Sequence, residues 1–136
     1  MKIFNYFVGL TIFLLLTGCQ ENFDKRCARE AAEFTATQCP RQLEPGNILD
    51  SMAYDIKTRT YHYYYTLSGE WDTPTSLHSI KSQDSILRYH LLDKLKNDIS
   101  LNECKKEKIN FSYKYFSAST RNEILHFLFT SKDYTH

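Results

Sequence analysis

Apolar and polar positions follow two different periods along this 136-residue chain, and the changes of period divide it into elements. Asp24 can cap a helix over residues 24–38, where Cys27, Ala28, Ala31, Ala32, Phe34 and Thr35 form the less polar side and Pro40 helps to end the run. Pro45-Gly46 then marks a turn. Residues 48–56 and 60–67 alternate with the period of a strand, and the link 57–59 is short enough for a hairpin. In the second of these, Tyr61, Tyr63, Tyr65 and Leu67 share one face, while His62, Tyr64 and Thr66 share the other. Residues 68–82 carry Gly69, Trp71, Thr73-Pro74 and several serines without any period, which predicts a long loop suited to a partner. The helical period returns over 83–104: Leu87, Leu91, Leu95 and Ile99 recur every four residues, and Ile86, Tyr89 and Leu92 widen the stripe. Two more alternating runs follow. Ile109, Phe111, Tyr113 and Tyr115 oppose Asn110, Ser112 and Lys114; after a turn at 118–122, Leu125, Phe127 and Phe129 oppose Ile124, His126 and Leu128.

The order helix–strand–strand thus occurs twice. It predicts an α+β domain with a four-stranded antiparallel sheet and two helices on one face. A curved cystatin-like or nuclear-transport-factor-like sheet is the alternative arrangement. Residues 59–66 and 123–130 correspond at an offset of 64, each with a histidine among aromatic or apolar neighbours and a final threonine. Duplication and convergent strand patterning both account for that likeness.

The first 18 residues follow a different plan. Lys2 precedes an apolar segment from Tyr6 to Leu16, too short for the roughly 20 residues of a membrane-spanning helix. Leu15-Leu16-Thr17-Gly18-Cys19 then resembles the lipobox of bacterial lipoproteins. That resemblance implies a signal peptide at 1–18, lipid attachment at Cys19, a short tether at 19–24 and a single domain at 25–136. The Gln20 that follows, where inner-membrane lipoproteins tend to carry Asp, implies an outer-membrane address facing the periplasm or the outside. Several acyl chains give stable anchoring where one does not.

Export permits disulfides. With Cys19 lipidated, Cys27, Cys39 and Cys104 remain. Cys39 and Cys104 each end a predicted helix, and two parallel helices side by side bring those ends together, so Cys39–Cys104 is the favoured pair. Cys27–Cys39 is the rival pairing, and Cys27 otherwise serves as a small buried hydrophobe.

Charge then narrows the function classes. Residues 1–18 carry one lysine and no acid, so the mature chain has 16 basic and 16 acidic side chains. This balance disfavours nucleic acid as a partner, because phosphate contacts need clustered Lys and Arg. No hydrolase, phosphate-loop or metal-site motif appears, so neither enzymatic activity nor a cofactor or metal is expected. The expected interaction surface consists of His62, Tyr64, Lys114 and His126 on the uncovered sheet face, with Trp71 in the loop. The composite expectation is a membrane-anchored, non-catalytic accessory or protein-interaction module of the cell envelope, partnered by the bilayer and an envelope protein. A small-molecule or glycan binder is the alternative, and an envelope hydrolase a more distant one.

Overall fold

A computed structural model describes residues 21–135. The first helix, α1 (Phe23–Gln38), is capped by Asn22, whose side chain accepts from the Lys25 amide at 2.8 Å. Asp24, the expected cap, lies inside the first turn and serves another purpose. Its carboxylate accepts from the Tyr54 hydroxyl at 2.6 Å and from the Arg59 guanidinium at 3.0 Å. Those two bonds hold its pKa below the usual 3.8. A carboxyl whose folded pKa is depressed stabilises the fold above its unfolded pKa and loses that contribution as pH falls through the lower folded value. Asp24→Asn is expected to cost about 1–2 kcal/mol at pH 7. Urea midpoints should show the difference from the wild type shrinking steadily between about pH 4 and pH 2.

After α1 the chain enters a sheet in the order β1 (Arg41–Glu44), β2 (Asn47–Asp55), β3 (Thr60–Leu67), β4 (Asn110–Ser117) and β5 (Glu123–Phe129). Strands β1–β2, β2–β3 and β4–β5 are antiparallel, and β3–β4 is parallel. The sheet is therefore five-stranded and mixed, not the four-stranded antiparallel sheet expected. Two features account for the difference. Strand β1 is a four-residue strand exposed along its whole length, so it shows no alternation. The connection between β3 and β4 is long and helical, which suits a parallel crossover; parallel neighbours need a dozen or more connecting residues.

That connection also corrects the loop and helix boundaries. Residues 68–82 are ordered as a 3-10 turn (Gly69–Asp72) and a helix, α2 (Pro74–Ser82). Thr73 caps α2 through the Ser76 amide, and Pro74 occupies its first turn, where a missing N–H costs nothing. Next comes α3 (Asp84–Asn97), which stops where Asp98 turns back on the Ser100 amide. A 3-10 turn (Ile99–Leu101) and a short helix, α4 (Asn102–Lys106), replace the expected last turns. The break takes Ile99 off the apolar stripe, leaving it 82% exposed, and Ile86 and Tyr89 likewise face solvent. A single turn, α5 (Ser131–Tyr134), follows β5 behind a capping box at Thr130 and Asp133.

One face of the sheet forms the core, as the alternation predicts. Tyr54, Tyr61, Phe111 and Phe129 pair in register across β2 to β5, with Tyr65, Tyr113 and Phe127 nearby. Cys27 and Ala31 of α1 and Leu95 of α3 pack on this face. Parallel pairing of β3 with β4 sets tyrosine against tyrosine: Tyr63 stacks on Tyr113 at 4.9 Å and Tyr65 on Tyr115 at 4.7 Å, with ring planes nearly parallel. Burial lifts all four hydroxyl pKa values, that of Tyr115 to about 12. Helix α1 also protects an edge. Where β1 has ended, the Thr35 hydroxyl donates to the Met52 carbonyl and accepts from its amide, both at 2.8 Å. This closes backbone groups that an unpaired edge strand exposes.

The topology bears on the repeated pattern. Superposing β2–β3 on β4–β5 in sequence order reverses strand direction while keeping lateral order, which turns the sheet over. Helices α1 and α3 share one face, so the two halves are not related by that operation.

Candidate functional site

The second face of the sheet gathers the residues singled out by alternation. Tyr64, Lys114 and His126 are register partners on three neighbouring strands and form one row across β3, β4 and β5. One pleat along, His62, Ser112 and Leu128 form the next. The His62 and Tyr64 rings lie 5.9 Å apart and almost parallel. His126 is exposed and Leu128 is 46% exposed, so part of this patch stands open to solvent. His62 and His126 sit on strands separated by β4 and in different rows, so they do not form a pair.

Two environments divide the histidines. His62 Nδ1 is buried and meets no protein partner. Burial first, then the nearby Lys114 charge, lower its pKa below the usual 6.5; Asp55 opposes them, and His126 adds a smaller lowering. These effects favour the neutral imidazole at His62. His126 reaches Ser112 instead, Nε2 to Oγ at 2.9 Å. Ser112 was placed on this face by the alternation but not singled out; only pairing of β4 with β5 brings it to a histidine. A shallow depression of about 490 Å³ extends the patch from Tyr64 past Thr66 to Phe116 and Arg121. At its edge the Thr66 hydroxyl donates to Asp50, the residue bulged out of β2.

Trp71 does not join this surface. Its indole donates to the Pro45 carbonyl at 2.9 Å, and its ring lies over Gly46. Asp72 fixes this turn from the other side by accepting from the Ser117 hydroxyl and the Ser119 amide. Those bonds hold the Asp72 carboxyl below its usual pKa. The exposed part of Trp71 walls a groove of about 460 Å³ between the covered sheet face and α2–α3, with Leu67, Ile80, Leu87 and Leu91 among its apolar lining. Asn47 also lines it, and its Oδ1 is buried without a hydrogen bond. A single strand-end asparagine carries no periodic signal, so this acceptor was not visible in sequence.

The cysteines need a correction. Cys39 and Cys104 are not paired; Cys27, Cys39 and Cys104 are all free thiols in this structure. The break after Asn97 redirects the chain, so α4 brings Cys104 to the first half of α1, beside Cys27 and Glu30, and away from the end that carries Cys39. Cys39 instead has Asp50 and Arg41 as its charged neighbours. Among the described residues, no three His, Cys, Asp or Glu side chains gather as a metal-binding group. None of their helices is long and apolar enough to cross a membrane. The lipobox-like stretch and Cys19 lie outside the described residues.

Comparison with curated proteins finds no match. Among solved structures, the fold is similar to a proposed secreted protein from Pseudomonas aeruginosa, with a TM-score of 0.68 and 11% identity over 81% of this chain and 90% of that one. At that identity the likeness concerns the fold alone. A family model described as "Domain of unknown function (DUF8479)" matches residues 22–126, from the cap of α1 into β5. This match takes in β1 to β4 and the first half of β5, and the chain belongs to the DUF8479 family.

Proposed function

We propose that this protein is a non-catalytic interaction module of the bacterial envelope, lipid-anchored at Cys19 in the outer membrane, that binds a protein partner through the open sheet face. The observation that carries this reading is the row Tyr64–Lys114–His126, laid across three adjacent strands with Leu128 exposed beside it. Rigid strands hold an aromatic ring, a cation and an apolar side chain at fixed spacing, which lowers the entropy lost on binding. Such a row suits a partner surface that offers carboxylates and apolar groups.

Ser112 and His126 supply a nucleophile type and a base type within bonding distance, but the surroundings do not favour acyl transfer. Ser112 is 1% exposed, and no carboxylate bonds to the His126 ring among the described residues. A working nucleophile requires access to substrate and an oriented base. The bond serves instead to hold the His126 ring over the strand.

Photo-cross-linkers placed at Tyr64 and at Ile86, in intact envelopes, test the reading. Ile86 is 56% exposed on α3 and serves as the control. One adduct specific to position 64, lost on adding Lys114→Glu, is the expected outcome. Equal labelling at both positions, or none at 64, overturns it. Fatty-acid incorporation that disappears in Cys19→Ala tests the anchor separately.

A second reading, as a small-molecule or glycan binder, is favoured by the groove under Trp71, where an aromatic wall stands with the unpaired Asn47 acceptor. Trp71 is the only tryptophan in the chain, so its emission reports on this groove directly during ligand titrations.

A further inference from the structure

The break between α3 and α4 places two thiols where the sequence did not. Helix α4 is fastened to the start of α1 at two points close to Cys27 and Cys104. Arg26 forms an ion pair with Glu103. Arg59 bonds both Asp24 and Glu107, joining the first turn of α1 to the far end of α4. Beside these clamps, Cys27 and Cys104 each directly follow a residue of the Arg26–Glu103 ion pair, one on each helix. Both thiols belong to the same apolar cluster, with Cys27 2% exposed and Cys104 half-buried against it. Tyr61 closes the pocket from the sheet, its hydroxyl donating to the Cys27 carbonyl at 3.2 Å.

We propose that Cys27 and Cys104 form the disulfide of the mature protein, leaving Cys39 as a free thiol. The oxidant is a disulfide, of a protein or of a small thiol such as glutathione. In the first step one cysteine thiolate attacks a sulfur of the oxidant, forming a mixed disulfide and releasing one oxidant thiolate. The second cysteine thiolate then attacks its partner's sulfur and expels the other oxidant thiolate. Two cysteine protons are lost, two oxidant thiolates take up protons, and two electrons pass to the oxidant. Cys104 is the more accessible of the two and makes the first attack.

Burial raises both thiol pKa values in the folded chain, that of Cys104 to about 12 with Cys27 adding to the shift. The attacking species is the thiolate, so exchange in the finished fold is slow. The bond therefore forms while the chain folds, when α1 and α4 have met but are not yet sealed.

The test refolds the reduced, unlipidated full chain with glutathione disulfide, alkylates the remaining thiols and maps the peptides. Because the oxidant is supplied, the result does not depend on export or anchoring. The expected product joins tryptic peptides 27–29 and 97–105, with Cys39 alkylated. Cys39→Ser should leave the yield of that link unchanged, and Cys27→Ser should abolish it. A dominant link through Cys19 or Cys39, or alkylation of both Cys27 and Cys104, overturns the proposal. The same link in protein isolated from envelopes, with Cys19 acylated, extends it to the cell.

Discussion

Phe111→Ala is expected to destabilise the protein by about 3–5 kcal/mol, the range for removing a fully buried aromatic ring. Phe111 has 0% exposure and stands in β4, near the middle of the sheet. Its register partners are Tyr61 on one side and Phe129 on the other, and the Tyr134 ring meets it edge-on at 5.7 Å. Truncation leaves a cavity bounded by strands on both sides, which hydrogen-bonded ladders hold apart. Collapse is therefore limited, and the loss of contacts is felt in full. A domain of this size has about 5–15 kcal/mol in total, so the variant approaches the edge of folding. Urea denaturation should show a lower midpoint with an unchanged slope. Leu128→Ala, on the open face of the same sheet, should lower the stability by less than about 1 kcal/mol. Equal effects at the two positions would contradict the assignment of a covered and an open face.

Gly46→Ala should cost about 2–4 kcal/mol, from a position that is not deeply buried. Gly46 turns the β1–β2 hairpin at φ +85°, a conformation costly to side-chain-bearing residues. Space compounds the strain: an added Cβ would lie 2.4 Å from Trp71 Cδ1 and 2.7 Å from the Ser68 carbonyl oxygen. That backbone cannot retreat freely, because the Ser68 amide donates to the Gly46 carbonyl at 2.9 Å. The indole must move instead, giving up its bond to Pro45 and opening the groove. A red shift in tryptophan emission should accompany the lower midpoint. Gly69→Ala is the matched control. Gly69 also has positive φ, +59°, but nothing lies within 4 Å of the added carbon. Backbone strain of about 1 kcal/mol is expected there, with emission unchanged.

The open face was legible because alternation is a local property. Successive strand side chains point to opposite sides whatever the neighbouring strand is, so His62, Tyr64, Lys114 and His126 could be assigned together before any pairing was known. The core rows through Tyr61, Phe111 and Phe129 follow by the same rule. The turn at Pro45-Gly46 was legible for a related reason, since it rests on the conformational limits of two residues. Strand β1 was not, because four exposed residues carry no pattern. The end of α3 is not legible, because Leu95 and Ile99 continue the stripe past it. Asp98 competes for the backbone with a side-chain bond, and that bond ends the helix.

The sequence by itself determined which strand side chains face inward and which face outward. Local geometry suffices for both. Only the tertiary structure decided which of these groups meet: Tyr64 with Lys114 and His126, Ser112 with His126, Cys104 with Cys27. His126 reaches Lys114 and Ser112 through the β4–β5 hairpin, whereas the Tyr64–Lys114 and Cys104–Cys27 meetings depend on the path of the chain between β3 and β4, over residues 68–109. Its helices return the chain to start β4 parallel to β3, and the break at Asp98 turns α4 back over the start of α1. The nearly neutral residues of that crossover are read one at a time in sequence. Their combined length and direction select neighbours only once the core has closed around them.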